Sequence, residues 1–231
     1  MSVTDGIVAR ALKTEHGFLD LQRMADELVD AGDAAASRAV ALELLRSDVH
    51  QARCVGTFVL GRLAASDREA LEILERDVSR DTDWRVQEIL AKAFDRFCLD
   101  TGYEAALPVI RDWLASGSAS TRRAVTEGLR IWTSRPYFRE HPEVAIRLLS
   151  DHRGDDSRAL RKSVGNALRD IGKTHPDLVR EEVASWDLAQ PGVRRVRELA
   201  TRVAPGHRGA AAAPAGRAES RKMGTSPRRK G

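Results

Sequence analysis

Apolar residues recur three and four positions apart through almost all of residues 1–204, as in Val86, Ile89, Leu90, Ala93 and Phe94. That spacing lays one apolar stripe along a helix, and the strict alternation of a strand is nearly absent. Short polar breaks interrupt the stripe at Asp81-Thr82-Asp83, Thr101-Gly102, Gly117-Ser118, Gly154-Asp155-Asp156 and Gln190-Pro191-Gly192. Asp81, Ser118 and Ser157 stand where a side-chain oxygen can accept an orphan amide proton of the following helix. Pro136, Pro142 and Pro176 fall at breaks or helix starts, where the missing N–H costs little.

The helices repeat. Ala52-Arg53-Cys54-Val55-Gly56, Val86-Gln87-Glu88-Ile89-Leu90, Arg122-Arg123-Ala124-Val125-Thr126 and Arg161-Lys162-Ser163-Val164-Gly165 share one shape and recur at intervals of 34 to 39 residues. Partner helices lie between them, from Arg68 to Val78, Glu104 to Leu114 and Glu143 to Leu149. Helix pairs of this length cannot bury their apolar faces alone, so they stack on their neighbours. The pattern therefore predicts an all-α fold, a right-handed α-solenoid of HEAT-like helix pairs over residues 1–204. An irregular helical bundle is the competing arrangement.

Charge divides the chain. Residues 1–119 carry 14 Lys and Arg against 21 Asp and Glu, a net of −7; residues 120–204 carry 17 against 12, a net of +5. Residues 205–231 carry 7 against 1 and lack apolar periodicity, so a basic, disordered tail is expected there. The asymmetry points to an anionic partner met by the C-terminal half. No apolar run approaches the roughly 20 residues of a membrane span, and no secretory signal is evident at the N-terminus. Cys54 and Cys98 sit inside helical patterns without a metal-ligand spacing and read as buried thiols.

Most chemistry has no support in the residue types. The six histidines are scattered, and there is no phosphate-binding glycine loop, nucleophile elbow or Cys-His cluster. Carboxylates, tryptophans and arginines on the repeat helices remain. Trp84 and Glu88 are four residues apart, on one helical face, with Asp83 beside them as a second carboxylate. An aromatic face next to a carboxylate stabilises a cation, whether an alkylated purine or the sugar cation left when its glycosidic bond breaks. The same spacing equally allows Trp84 packed between helices and Glu88 in solvent. Within a helix expected from Arg122 to Trp132, Arg123, Glu127 and Arg130 form one charged stripe. From Arg161 to Lys173, Lys162, Asn166, Arg169 and Lys173 form another. Stacked repeats set such stripes side by side as a track for a phosphate backbone; salt-bridged surface helices are the alternative. Arg194, Arg195, Arg197 and Arg202 extend the basic surface. Trp113 and Trp186 read as packing between repeats, and Trp132 is open.

Three of these segments resemble the DNA alkylation repair glycosylases of the AlkD and AlkC type. Thr121-Arg122-Arg123-Ala124-Val125-Thr126-Glu127-Gly128-Leu129-Arg130 is similar to the Arg-Arg-x-x-x-Glu-Gly segment of AlkC-type proteins. Arg161 to Lys173, followed by His175-Pro176-Asp177, resembles the repeat after it more closely. Trp84-Arg85-Val86-Gln87-Glu88 is similar to the Trp-x-x-x-Asp pair of AlkD-type proteins, with Glu in place of Asp. The resemblance spans roughly residues 80 to 185. It implies a curved solenoid holding duplex DNA in a concave groove, and excision of positively charged alkylpurines with no metal or organic cofactor. It implies that Glu88 or Asp83 stabilises the sugar cation and orients water, that Trp84 faces the lesion or the deoxyribose, and that Arg122 or Arg123 contacts the DNA backbone. Two departures stand out: Asn166 occupies a position that is a second tryptophan in AlkD-type proteins and Asn in AlkC-type ones, and Leu129 to Tyr137 replace the AlkC segment after Glu-Gly.

The expected partner is alkylated duplex DNA, met by Arg122, Arg123, Glu127, Arg130, Arg161, Lys162, Asn166, Arg169 and Lys173, with Glu88, Asp83 and Trp84 at the reacting sugar and base. A cytoplasmic monomer without a membrane association is expected. The rival readings are a HEAT-repeat protein that binds DNA without catalysis, and a protein-interaction scaffold.

Overall fold

In the computed structural model, which describes residues 2–202, the breaks in the apolar stripe become helix ends. The helices are α1 (Val3–Ala11), α2 (Leu19–Ala31), α3 (Ala34–Leu45), α4 (His50–Leu63), α5 (Arg68–Arg76), α6 (Trp84–Thr101), α7 (Leu107–Leu114), α8 (Ala119–Gly128), α9 (Pro136–Glu140), α10 (Pro142–Ser150), α11 (Arg158–Gly172), α12 (Pro176–Ala184) and α13 (Pro191–Ala200), with no strand among the described residues. Ser118 and Ser157 accept from the amides of Thr121 and Leu160 as the sequence predicts. Pro136, Pro142 and Pro176 each open a helix. The expected tail, 205–231, lies outside the described residues. No helix of the described residues is long and apolar enough to cross a membrane.

Two layers result. Helices α4, α6, α8, α11 and α13 pack in succession, each against the next, as one wall. Helices α5, α7, α10 and α12 back it from the other side. This is a HEAT-like α-solenoid. Glycine sets the closest crossing of α4 and α6: a Cβ on Gly61 would stand 2.6 Å from the Ala93 Cβ. Gly128 meets the Ala91 carbonyl in the same way where α8 crosses α6. Trp113 is buried in the backing layer against Phe94, ring centroids 4.4 Å apart, and Trp186 is buried under the Arg153 guanidinium. Both Cys54 and Cys98 are buried free thiols; burial pushes the Cys54 thiol up to about 12 and raises Cys98 as well.

Three expectations change. Asp83, not Asp81, caps α6, its carboxylate accepting from the Arg85 amide; Asp81 sits two residues earlier and accepts from the Asp83 amide. The helix expected from Arg122 to Trp132 stops at Gly128, and Trp132 lies in a separate 3-10 turn, Trp132–Ser134, buried edge-on against Phe138. The repeats are also registered differently. Arg53 donates to the carbonyls of Ser47 and Asp48, Arg122 to Ser116, Arg161 to Asp155 and Asp156, and Arg194 to Leu188 and Ala189. Gln87 does the same with the carbonyls of Val78, Ser79 and Asp81. One side chain per repeat, the fourth after each N-cap, therefore ties the preceding loop to its helix. This pairs Arg53 with Arg122 and Arg161, rather than with Arg123 and Lys162 as the shared sequence shape suggests.

Two of these tethers also cross between repeats. Arg53 grips Asp81 (Nε to Oδ2 2.6 Å), and Arg122 grips Asp155 (Nε to Oδ2 2.8 Å, Nη2 to Oδ1 3.0 Å). Each aspartate lies in the loop before the next wall helix and also accepts an amide there, Asp83 and Ser157 respectively. Burial alone would raise the Asp155 carboxyl; the Arg122 and Ser157 bonds outweigh that and hold it below the usual carboxylate range.

Candidate nucleic-acid interface

Counting from the N-caps aligns the wall helices. The position after each tether is Glu88 on α6, Arg123 on α8, Lys162 on α11 and Arg195 on α13. Because α6, α8, α11 and α13 pack in succession, the equal count from their N-caps puts these four residues at one level of neighbouring wall helices, as a row. Each is at least partly exposed. Their counterpart on α4 is Cys54, fully buried because α1, α2 and α3 all pack on α4. The open row therefore begins at Glu88 and runs into three cations, of which Arg195 is also paired with Glu198 at 2.7 Å.

Trp84 opens α6 one turn before Glu88 and is 66% exposed. The packed alternative for this tryptophan does not hold: no neighbouring helix covers its ring, and the Arg85 guanidinium lies 5.3 Å from the ring centroid. The equivalent residue of α8 is the small Ala119. Glu88 is half-buried and forms no side-chain hydrogen bond or ion pair among the described residues. Asp83 differs. Its carboxylate is committed to the Arg85 amide and to Arg85 Nη1, both at 2.9 Å. Of the two candidate carboxylates, only Glu88 has its oxygens free.

The predicted phosphate ligands separate into three groups. Arg122 and Arg161 are drawn out of the set by their loop tethers, with the Arg122 side chain only 15% exposed. Arg130, Arg169 and Lys173 converge on the buried Asp170, at 3.6, 3.7 and 2.6 Å, so one negative charge offsets part of theirs. Arg130 also lies 3.9 Å from Glu127. Arg123, Lys162 and Asn166 have no side-chain partner among the described residues. Between the two stripes, the hydroxyls of Thr126 and Ser163 share a buried hydrogen bond of 2.7 Å that fixes α8 against α11.

Two features escaped the sequence. His50, at the start of α4, lies beside the α6 N-terminus; burial, then the Arg85 charge, lowers its pKa and favours the neutral ring. Its only sequence signal was a position directly after a loop. Lys92 and Arg96 continue the Trp84–Glu88 stripe along α6 and line a cavity of about 170 Å³ with Gln22, Asp26, Phe58 and Arg62. Their spacing, four and eight residues after Glu88, is legible in the sequence. Among the described residues, no group of three or more His, Cys, Asp or Glu side chains is placed to hold a metal ion.

The sequence pattern of the family described as "DNA alkylation repair enzyme" matches residues 19–205. The chain belongs to this family. The chain is similar to two solved structures from Streptococcus mutans. One is AlkD2, 44% identical with a TM-score of 0.84, covering 87% of this chain and 98% of that one. The other is smu.31 of strain UA159, 42% identical with a TM-score of 0.83 over the same shares. It is also 36% identical over 78 residues to the uncharacterized protein YhaZ of Bacillus subtilis strain 168, a match covering 32% of this chain and about a fifth (22%) of YhaZ. Membership in the DNA alkylation repair enzyme family agrees with the all-helical, HEAT-like fold.

Proposed function

We propose that this protein binds duplex DNA through the row Arg123, Lys162 and Arg195, and excises positively charged alkylated purines beside Trp84 and Glu88. The observation that carries the reading is the unpaired Glu88 carboxylate, one turn from the exposed Trp84 ring and in line with three cations. Phosphates following the cationic row bring the strand toward α6. There the Trp84 face and the Glu88 charge both favour a cation. A cationic base is a good leaving group, so the protein supplies position and electrostatic stabilisation of the sugar cation, and Glu88 orients the attacking water. Asp83 acts as the cap that fixes the Trp84 backbone, and Asn166 stands one turn beyond Lys162 along α11 as a neutral contact. Family membership supports the same reading.

Release of free methylated purine from methylated duplex DNA tests it. The intact chain and a chain ending at residue 204 are compared, so that the basic tail cannot be mistaken for the site. Glu88→Gln is expected to lower release about 100-fold, the order seen when one transition-state electrostatic contact is removed, while duplex affinity holds. Salt-sensitive binding without release would place the protein among duplex binders that do no chemistry. No binding by either chain would leave the wall as a protein-interaction surface.

A further inference from the structure

Ile131 is the only non-glycine residue with positive φ among the described residues (φ 57°, ψ 52°). A β-branched side chain in the left-handed region crowds its own carbonyl, and the conformation is rare for that reason. A plain chain reversal is served by Gly or Asn at such a position. Burial does not repay the strain, because Ile131 is 54% exposed.

The flanking residues hold this conformation in place. On one side Arg130 reaches across to Asp170 of α11. On the other, Trp132 is fully buried against Phe138, and the Ser134 amide donates to the Ile131 carbonyl at 2.8 Å. Arg135 then locks the segment to α6 and α8: Nε and Nη2 donate to Asp95 at 2.9 and 2.6 Å, and Nη2 also donates to the Gly128 carbonyl at 3.2 Å. The Tyr103 hydroxyl donates to the same Asp95 at 3.0 Å. The result is a rigid aliphatic side chain, displayed just past the end of α8 beside Arg130, whose guanidinium reaches the Asp170 carboxylate that Arg169 and Lys173 also approach.

An apolar side chain flanked by cations is the means by which proteins part a base step from the minor groove. The cations hold the phosphates, and a pre-ordered backbone spares the entropy of fixing the wedge on binding. We propose that Ile131 is an apolar wedge inserted into the base stack of duplex DNA held on the wall. The proposal rests on the duplex-binding reading above and adds a contact at the opposite end of the helices from Trp84.

The test uses the intact protein and a duplex carrying 2-aminopurine, whose fluorescence rises on unstacking, with affinity read by anisotropy. Wild type is expected to raise the fluorescence. Ile131→Asn, which tolerates the left-handed backbone, should abolish that rise and weaken binding about tenfold, as for the loss of one buried aliphatic side chain. Its Tm should equal or exceed that of wild type, because the strain is relieved. Ile131→Leu, which keeps the apolar volume, should restore the rise. Wild-type binding without a fluorescence rise would overturn the wedge alone, as would an Ile131→Asn signal equal to wild type. A fall in Tm of more than about 4 °C, or roughly 1 kcal/mol for a chain of this size, would also overturn it, assigning Ile131 to packing. No duplex binding by wild type would sink the functional reading, and the wedge with it.

Discussion

Removing Asp155 should loosen the joint between α8 and α11 far more than removing an exposed acid. Its carboxylate is 9% exposed and accepts two bonds from Arg122, a guanidinium that is 15% exposed and also holds the Ser116 carbonyl. Asp155→Ala leaves that guanidinium desolvated and unpaired, and strips the Ser157 amide of its acceptor. Breaking a buried pair on one side costs about 3–5 kcal/mol; the residual exposure puts this case near 3 kcal/mol, or roughly 6–12 °C in Tm. Urea unfolding followed by far-UV circular dichroism measures it. Arg68→Ala at the exposed Arg68–Glu72 pair (90% and 53% exposed) is the control, at about 0.5 kcal/mol or less. The double variant Arg122→Met with Asp155→Leu should recover much of the loss, since no charge is then left buried. The pH dependence has a definite sign. The folded Asp155 carboxyl lies below its unfolded value of about 3.9, so its contribution is complete above that value and disappears as pH falls through the folded one. The gap between wild type and Asp155→Ala should therefore close in acid. A loss no larger than the Arg68 control, or a gap unchanged between neutral and acid pH, would refute the tether.

Other consequences are open to direct measurement. Trp84→Ala should lower purine release at least tenfold while leaving Tm within about 1 °C, because a ring this exposed adds little to packing; a large fall in Tm would show that it is structural. Arg123→Gln and Lys162→Gln should each reduce the salt dependence of duplex binding by about one counterion, and a slope unmoved by either would remove the row from the interface. Gly61→Ala should destabilise by about 1–2 kcal/mol despite its better helix propensity, because the new Cβ meets Ala93 at 2.6 Å; a neutral or stabilised variant would mean the α4–α6 crossing can open without cost. Cys54 and Cys98 should stay unreactive toward an aromatic disulfide reagent until urea unfolds the chain, given their burial and raised pKa values.

Helix identity, helix order and the paired-helix period were determined by the sequence, because each rests on local physics. A 3.6-residue apolar stripe, a serine at Ser118 or Ser157 and a proline at Pro142 act within one turn of themselves. The Trp84–Glu88 spacing and the three resembling segments were legible for the same reason. What the sequence left open was whatever depended on a neighbouring repeat. Arg122 and Arg123 are adjacent arginines on one helix, and only the position of Asp155 in the next loop decides that the first is a tether and the second is free. Arg130 reads as a free cation until the fold brings it to Asp170, 40 positions on, which offsets part of its charge. The close seat of Gly128 on the Ala91 carbonyl of α6, and the Arg135–Asp95 lock beside the left-handed Ile131, are likewise set by another repeat. These are contacts between residues about 30 to 40 positions apart, and no local propensity records them; the tertiary structure alone decides which charges of a repeat hold the solenoid together and which face outward.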